Sequence, residues 1–544
     1  MNRPLTTQIY DQAEEQRRIL YRVLPLAIML LGAALRLVYL GSVPGGMHQD
    51  EAFSAWTAYS LLHNGIDSAG NFLPVYLAGW GDGQSALYSW LMIPLLAING
   101  GKFGPVASRL PQALVAIATI WAVYCLARRM FGDMAAIWCS FLLAICPWHI
   151  TMSRWGLEAN LAPGFLIFGL YFFVRAMQNN AFLLLSALFY GLSLYCYATI
   201  WPVVPIILFT QIVYSLFHKK ITLNRYSLGG VLLLALMALP LILFVIINTF
   251  DRSAIRLPFL TIPIMSGYRG GEVALSLSQM WSNLKRTGHL LLFQNVGTPY
   301  DILLPYGLFY DIGRIFIVIG FFCLAAALVR NLSRRQFCFE FLIFAQLLGS
   351  GVNCLLITAN LQQINSLYIP LVLCEGYGVW CVLKWLKHFN RYLLRAVSAL
   401  LAVAYLVFLV GFEYTYYTDY MVTVNAYFAQ GVRECVDYAM EQSLERTDEN
   451  GSHPYIVAER GAQWPRLLLF SGITGPEYLA HVTYKENQVE PATFQVDGIT
   501  FQNGINYEHL DPNAIYIIYF TDAPVFEDNF NLAQFYDWYV AVPK

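Results

Sequence analysis

Residues 228–247 read LGGVLLLALMALPLILFVII, twenty residues without a single charge. A helix needs about twenty mostly apolar residues to cross the hydrocarbon core of a bilayer. Similar runs recur through the first three quarters of the chain, at residues 24–40, 106–127, 313–329 and 393–412. Together these runs predict a polytopic bundle of membrane helices.

The overall composition agrees with a membrane protein. Hydrophobic residues make up 58% of the chain and charged residues only 12%, whereas ordinary soluble domains carry about 25% charged residues. The formal net charge is −1 and there is no basic block, so no nucleic-acid partner is expected. The ten cysteines show no Cys-x-x-Cys spacing, which argues against a zinc site and a disulfide framework.

The number of spans follows from the basic residues, because cytoplasmic loops collect Lys and Arg. Placing every basic cluster inside gives about eleven transmembrane helices, near residues 24–40, 106–127, 132–147, 160–177, 181–197, 201–217, 227–248, 312–330, 337–357, 365–383 and 393–412. The predicted fold class is an all-α polytopic membrane bundle over residues 1–412. A small external α/β domain is expected over residues 413–544.

Two long external loops are expected between the spans, at residues 41–105 and 248–305. The apolar run Ala86 to Ile98 inside the first loop is short for a crossing, so it is interpreted as a re-entrant or interfacial helix. The tail shows strand-like runs at 455–458 and 515–520 and a helix-like run at 425–445.

The first external loop opens with the motif Gly45-Gly46-Met47-His48-Gln49-Asp50-Glu51. Large apolar residues follow at three-residue spacing, which predicts an amphipathic helix at the outer interface: Phe53, Trp56, Tyr59 and Leu62. In one interpretation Asp50 caps this helix and Glu51 complements its dipole, together worth about 1–2 kcal/mol. In the other, a carboxylate beside a cavity acts as a general base.

A second charged pair follows the third span. Arg154 and Glu158 are four residues apart, a spacing that places both on one helix face as an ion pair. Charges at the edge of a membrane segment are nevertheless expensive and usually functional. Both interpretations stay open from the residues alone.

Basic residues near the outer surface are candidates for binding an anionic head group. Arg36 lies near the outer end of the first span, where it either snorkels to lipid headgroups or pairs with an external acid. Arg109 opens the second span, and arginine offers bidentate contacts to phosphate. Asp82, in the glycine-rich stretch 79–84, is either a plain loop residue or a substrate contact.

The order of these features resembles the GT-C superfamily of polyprenyl-phosphate-sugar-dependent glycosyltransferases, which includes the lipid A aminoarabinose transferase and the protein O-mannosyltransferases. The resemblance is carried by Leu35-Arg36-Leu37, Asp50-Glu51-Ala52, Arg109-Leu110-Pro111, Leu126-Ala127-Arg128-Arg129-Met130-Phe131-Gly132, Pro147-Trp148-His149, Ser153-Arg154 and Leu157-Glu158-Ala159-Asn160. It implies an inverting transfer in which Asp50 deprotonates the acceptor. Glu158 matches a second external acid that supports the base or binds metal.

Two positions depart from the family pattern. Gln362-Gln363-Ile364-Asn365 stands where a basic residue often precedes the tenth span, and Gly83-Gln84-Ser85 replaces a Pro-Pro pair. The first departure bears on phosphate binding and the second on the acceptor pocket.

The resulting hypothesis is a multi-pass cell-membrane glycosyltransferase with its site on the extracytoplasmic side. Its catalytic candidates are Asp50, Glu51 and Glu158, and its substrate-binding candidates are Arg36, Arg109, Arg154, Asp82 and His48. The expected partners are a polyprenyl-phosphate sugar donor, a lipid, glycan or protein acceptor, and membrane lipids. No cofactor is assigned, although Asp50 and Glu158 could hold a divalent cation, Mg²⁺ or Mn²⁺. The alternatives are a flippase of lipid-linked glycans and a scaffolding role for the tail; no internal symmetry typical of transporters is evident.

Overall fold

The structure is a computed structural model of the 544-residue chain. It describes residues 5–79, 83–99, 103–267, 273–295, 297–449, 451–484 and 491–544. Within these ranges the side chains of residues 5–20, 484 and 491 are not described.

Where the structure describes residues 5–417, they are mainly helical. Their helices are α1 Leu5–Leu37, α2 Gln49–Asn64, α3 Leu87–Ile98, α4 Pro105–Phe131, α5 Asp133–Ile145, α6 Pro147–Ser153, α7 Ala162–Ala176, α8 Phe182–Leu194, α9 Val203–Phe217, α10 Arg225–Thr249, α11 Leu277–Phe293, α12 Asp311–Ser333, α13 Glu340–Leu356, α14 Tyr368–Lys387 and α15 Arg391–Tyr417. Two short antiparallel pairs lie in the loops that follow α2 and α10: β1 Tyr76–Leu77 with β2 Gln84–Ser85, and β3 Ile255–Leu257 with β4 Leu260–Ile262.

Each of the eleven predicted spans falls on a helix of the structure. In the described part of the chain, seven helical segments are long and apolar enough to cross a membrane, or eight if the bent pair α5–α6 is one span. Helices α8 and α13 are shorter, at 13 and 17 residues. The chain is therefore a multi-pass membrane protein, while the count of eleven crossings stays a prediction.

The predicted re-entrant segment is the twelve-residue helix α3. Tyr88, Met92 and Leu96, spaced four residues apart, are buried, as expected for one packed face of a helix. Ser89 Oγ donates to the Ser54 carbonyl of α2 at 2.9 Å. Helix α3 thus lies against α2.

The C-terminal part forms an α/β domain, as the fold class predicts. Its helices and strands are α16 Asp419–Phe428, α17 Val432–Glu445, β5 Ile456–Ala458, α18 Trp464–Ser471, α19 Gly475–His481, β6 Thr483–Tyr484, β7 Pro491–Val496, β8 Ile499–Asn503, β9 Ile515–Tyr519, β10 Phe530–Phe535 and β11 Trp538–Pro543. The sheet order is β10-β11-β9-β5-β8-β7-β6, with β5 parallel to β8 and β9 and the other pairs antiparallel.

The prediction of one helix over residues 425–445 is wrong. Ala429 and Gly431 have φ angles of +50° and +105°, which end α16 before α17 begins. A Cβ on Gly431 would lie 2.2 Å from the Phe535 carbonyl oxygen. The break is thus fixed by the close approach of β10, which the helical pattern of the sequence does not show.

The C-terminal domain packs directly on α2. Trp56 Nε1 donates to the Ile473 carbonyl at 2.9 Å, and the Trp56 ring meets Trp464 and Tyr478 edge-on at 6.0 and 5.5 Å. Ten of the sixteen residues of α2 are buried. The expected amphipathic helix at the lipid interface is therefore wrong, because Phe53 and Trp56 of its apolar face pack against the C-terminal domain.

Candidate active site

A cavity of about 1040 Å³ lies where α2 begins and where the chain enters α7. One wall carries Asp50, Gln84 and Glu158. Apolar residues also line the cavity, one from β1 and the others from the helical bundle: Tyr76, Trp201, Pro202, Phe244 and Leu356. Two of the three predicted acids therefore line one space.

His48, rather than Asp50, caps α2. His48 Nδ1 accepts the Asp50 backbone N–H at 3.3 Å, and Glu51 Oε2 accepts the His48 backbone N–H at 3.4 Å, which completes a capping box. The prediction that Asp50 caps the helix is wrong, because Asp50 is the second residue of α2 and lines the cavity.

The His48 ring is enclosed by aromatic side chains rather than by the cavity. It lies 4.8 Å from the Trp155 ring and 5.1 Å from the Tyr300 ring. Burial and the nearby positive charge of Arg466 lower the pKa of His48 from 6.5 to about 3. The Asp50 carboxylate is 3.6 Å from Nδ1, but a ring nitrogen that accepts an N–H bond carries no proton. His48 therefore acts as a neutral cap.

Glu51 belongs to a buried ion pair. Arg109 Nε donates to Glu51 Oε1 at 2.8 Å, and both side chains are fully buried. Ser108 Oγ donates to the same oxygen at 2.7 Å. Glu51 is not among the described residues that line the cavity. The two adjacent acids thus have different surroundings, one in a buried network and one at the cavity.

Three buried arginines hold the segment that leads to Asp50. We call this set the arginine clamp: Arg109, Arg154 and Arg466. Arg109 donates to the carbonyls of Leu40, Pro44 and Gly46 at 3.1, 2.7 and 2.8 Å. Arg154 donates to Leu35, Tyr39 and Val43, each at 3.1 Å. Arg466, from the C-terminal domain, donates to Met47 at 2.7 Å. Seven carbonyls between residues 35 and 47 are satisfied in this way.

Arg154 and Glu158 do not form the predicted helical ion pair. Helix α6 ends at Ser153, and the chain turns before a short 3₁₀ helix begins at Glu158. The four-residue spacing therefore does not correspond to one helix face. Gly156 lies in this turn, where a Cβ would be 3.0 Å from the Ser108 carbonyl oxygen and 3.1 Å from Glu51 Cγ. A residue without a side chain lets this turn pass close to the start of α2.

Arg36 neither snorkels nor pairs with an acid by hydrogen bonding. Its side chain is fully buried and donates to the carbonyls of Gly32 and Ala144 at 2.9 Å and of Leu143 at 3.3 Å. It also lies 2.6 Å from His149 Nδ1. The interpretation that Arg36 snorkels is therefore wrong, because this guanidinium is buried and satisfies the free carbonyls at the end of α5. Pairing with an acid is limited to a charge interaction with Glu413, without a hydrogen bond.

The predicted phosphate-binding arginines are thus placed away from the cavity lining. Arg36, Arg109 and Arg154 are all engaged by protein carbonyls, and none is among the described residues that line the cavity. Substrate contact by these residues and by His48 stays a prediction. Asp82 lies outside the described residues.

Gln84 holds Glu158 and was missed as a site residue. Its Nε2 donates to Glu158 Oε2 at 2.5 Å and to Ser54 Oγ at 2.9 Å. Glu158 is 5% exposed, so this hydrogen bond matters for a carboxylate shielded from water. The departure from the family pattern at residues 83–85 was the signal in the sequence that could have identified Gln84. Glutamine has a side-chain hydrogen-bond donor, whereas proline in that position would have none.

Neutral amides also line the cavity. Asn353, Gln362 and Gln363 line it beside Thr358. Asn353 Nδ2 donates to the Gln363 carbonyl, and Gln362 Nε2 donates to Asp301 Oδ1, each at 2.9 Å. Among the described lining residues there is no Lys, Arg or His. The predicted departure at residues 362–365 therefore lies at the cavity itself.

The oxygen atoms that line the cavity could supply only some of the ligands that a hard cation needs. The described residues contain no cluster of three or more His, Cys, Asp and Glu side chains arranged for a metal. Two carboxylates, Asp50 and Glu158, line the same space. Mg²⁺ is often held by one or two carboxylates, with water and substrate phosphate supplying its other ligands.

Comparison with known proteins gives a partial sequence match. A family model described as dolichyl-phosphate-mannose-protein mannosyltransferase matches residues 84–261, a stretch that begins at Gln84 and contains Glu158. A search of curated protein sequences finds no match to the chain.

Solved structures give matches over most of the chain. The oligosaccharyltransferase of Archaeoglobus fulgidus, in complex with Zn and sulfate, aligns with a TM-score of 0.50 at 13% identity, over 82% of this chain and 61% of its own. The chain thus spans less than two thirds of that protein. ArnT from Cupriavidus metallidurans, in the apo state, aligns with a TM-score of 0.49 at 12% identity, over 97% of this chain and 98% of its own.

Over residues 84–261 the chain is thus similar to the dolichyl-phosphate-mannose-protein mannosyltransferase family, and over most of its length it shares the fold of the archaeal oligosaccharyltransferase.

Proposed function

We propose that the protein transfers a sugar from a polyprenyl-phosphate donor to an acceptor, with Asp50 as the general base. The observation that supports this proposal best is that Asp50 and Glu158 line one cavity between the external loops and the apolar helices. A lipid-linked sugar needs such a meeting place, because its chain belongs in the bilayer and its head group belongs in water.

The reaction proposed is a single inverting displacement. The Asp50 carboxylate takes the proton from an acceptor hydroxyl or amine, whose oxygen or nitrogen attacks C1 of the sugar. The bond between C1 and the phosphate oxygen breaks, and its electron pair leaves with the lipid phosphate. The proton on Asp50 is then returned to water. Positioned general bases typically contribute about 10²–10⁴-fold to such steps.

Asp50 suits this role better than Glu51. The Glu51 carboxylate already accepts hydrogen bonds from Arg109, Ser108 and the His48 backbone. The Asp50 side chain is 32% exposed, so its carboxylate is within reach of solvent and substrate. We accordingly assign Glu51 to holding the start of α2 and Asp50 to proton transfer.

Glu158 is proposed to shape the site beside the base. Its carboxylate, held by Gln84, would orient the acceptor or share a divalent cation with Asp50. When bound, such a cation would supply positive charge near the leaving phosphate.

The extracytoplasmic face is proposed from the two ends of α4. Arg109, near its first residue, contacts the Asp50 loop, whereas Arg128 and Arg129 lie at its last turn. A helix of 27 residues is about 40 Å long, enough to place these ends on opposite sides of a bilayer. Basic residues favour the cytoplasmic side, so the cavity would open on the other side.

The test compares Asp50→Asn with Asp437→Asn, a matched change at an exposed position of α17. Membranes containing each variant are supplied with radiolabelled undecaprenyl-phosphate hexoses and pentoses, and transfer of the label is measured. We expect Asp50→Asn to lose about 10²–10⁴-fold in rate, with an unfolding temperature like that of wild type.

Full transfer by Asp50→Asn would reject Asp50 as the base. Folded wild-type protein that transfers no label from any donor would reject the transferase proposal. Movement of a fluorescent lipid-linked glycan across the bilayer by that same protein would then favour a flippase.

A further inference from the structure

One member of the arginine clamp comes from the C-terminal domain. Arg466 is the third residue of α18 and is only 2% exposed. Its partner Met47 stands 419 residues earlier and three residues before Asp50. The C-terminal domain therefore reaches the segment that carries the proposed base.

Each nitrogen of the Arg466 guanidinium has a carbonyl acceptor. Nε donates to Met47 at 2.7 Å, one terminal nitrogen to Tyr427 at 2.6 Å, and the other to Gly461 at 2.9 Å. The planar fork of arginine fits three fixed acceptors in a way that the single ammonium of lysine cannot. Arg466 thus joins the segment before α2 to the end of α16 and to the turn before α18.

The backbone contacts around Met47 make the same connection independently. The Met47 N–H donates to the Phe428 carbonyl at 2.6 Å. Gly46 has a φ of +68°, and a Cβ there would lie 2.2 Å from the Phe428 carbonyl oxygen. Residues 46–47 therefore fit closely against the C-terminal domain, immediately before the cap of α2.

The charge of Arg466 also acts on the start of α2. Burial lowers the pKa of Arg466 to about 10, while the negative charges of Asp50 and Glu51 oppose that shift. Arg466 therefore stays protonated at neutral pH. A charged donor makes stronger hydrogen bonds than a neutral one, so this charge strengthens the bonds from Arg466 to Met47 and to its other carbonyl acceptors.

We propose that Arg466 is a positioning residue for the transfer reaction: it fixes the backbone that orients Asp50. This inference rests on the proposed function. It makes the C-terminal domain part of the catalytic site rather than an accessory, although none of its described residues lines the cavity.

The experiment measures sugar transfer by wild type, Arg466→Met, Arg466→Lys and a control, Arg460→Met. Arg460 is an exposed arginine of the same domain, six residues earlier. The full chain is reconstituted with radiolabelled undecaprenyl-phosphate hexoses and pentoses, and kcat and KM for the transferred donor are determined at neutral pH.

For Arg466→Met we expect kcat to fall about 10–100-fold, because a misplaced base loses rate steeply. Arg466→Lys keeps the charge but not the planar fork, so it should recover only part of kcat. The donor KM should change little in both variants, and Arg460→Met should match wild type.

An unchanged kcat of Arg466→Met, or a loss that appears in the donor KM instead of in kcat, would overturn the positioning role. The rate is referred to folded protein, measured by size-exclusion chromatography, and KM does not depend on how much protein is folded, so a destabilised variant still gives an answer. If wild type transfers sugar and Arg466→Met behaves like Arg460→Met, this inference fails and the transferase proposal stands. If wild type transfers none, the proposed function itself fails.

Discussion

The two sides of the turn before α2 are built in opposite ways. On one side, the arginine clamp satisfies seven carbonyls and pairs Arg109 with Glu51, both fully buried. On the other side, Asp50 and Glu158 line a cavity that is also lined by neutral amides, with no basic residue among the described lining residues. The arginine side chains are thus concentrated where they hold the backbone, and the carboxyl groups of Asp50 and Glu158 lie where a substrate can reach them.

The difference shows how adjacent identical charges acquire different functions. Asp50 and Glu51 are neighbours in sequence and carry the same charge, yet only Asp50 lines the cavity. A buried carboxylate is tolerated when it is paired and hydrogen-bonded, as Glu51 is. Four predictions test whether the two sides are as separate as this geometry indicates.

The largest effect on stability should come from breaking the clamp. Arg109→Met leaves Glu51 buried without its partner and three carbonyls without donors, so we expect the free energy of unfolding to fall by about 3–5 kcal/mol. Arg128→Met removes an exposed ion pair with Asp133 and should cost at most about 1 kcal/mol. Thermal unfolding in detergent measures both. Equal unfolding temperatures would show that the clamp does not hold the loop.

The next effect should appear in activity rather than stability. Glu158→Gln keeps the shape of the side chain but removes its carboxyl group, so we expect sugar transfer to fall about 10²-fold with little change in unfolding temperature. Glu508→Gln, at an exposed position, serves as the matched control. Wild-type transfer is also measured with and without EDTA. If the chelator has no effect, a cation shared by Asp50 and Glu158 is ruled out.

A smaller effect is expected from the residue that holds Glu158. Gln84→Ala removes the hydrogen bond to the carboxylate, an interaction of about 1.5–3 kcal/mol when one partner is charged. Because the carboxylate then moves rather than disappears, we expect about a tenfold loss of transfer. Gln534→Ala, on the exposed side of β10, should leave the rate unchanged. If Gln84→Ala and the control transfer sugar at the same rate, this hydrogen bond does not contribute to catalysis.

The smallest effect should be a change in acid stability at His48. The pKa of His48 is about 3 in the folded chain and 6.5 when unfolded, so the unfolded state binds the extra proton first as the pH falls. This group's contribution to stability is therefore complete above pH 6.5 and is lost progressively below it. His48→Asn keeps a side-chain cap without titrating.

Between pH 7.5 and pH 5.5 we expect His48→Asn to lose about 1 kcal/mol less stability than wild type. Unfolding temperatures at a series of pH values measure this difference. Parallel curves for the two proteins would mean that His48 is protonated in the folded state, contrary to its role as a neutral cap.

The sequence predicts those features that depend on local pattern. Twenty-residue apolar runs locate the membrane helices, because crossing a bilayer requires that length regardless of tertiary contacts. The sequence also predicts that Asp50 and Glu158 belong to one site, and in the structure both line one cavity. The strand pair 455–458 and 515–520 appears as the adjacent parallel strands β5 and β9.

The features that the sequence does not predict depend on distant partners. Arg36 donates to carbonyls more than 100 residues away along the chain. Every residue has a backbone carbonyl, so no residue type in the sequence marks these acceptors. His48 caps α2 although Asp50 is the commoner residue type for that position, because the choice depends on which side chain the fold turns toward the cavity. The hairpin of β7 and β8 is an exception, because its two-residue turn Asp497-Gly498 is a local signal that the sequence does contain.

The hydrogen bond between Arg466 and Met47 also has a consequence for biosynthesis. Its two residues are separated by 419 positions along the chain. At typical translation rates of about 5–20 residues per second, the later residue is made on the order of 20–80 s after the earlier one. The membrane helices are therefore inserted well before α2 receives its last support, and a nascent chain would gain a correctly aligned base only at the end of its synthesis.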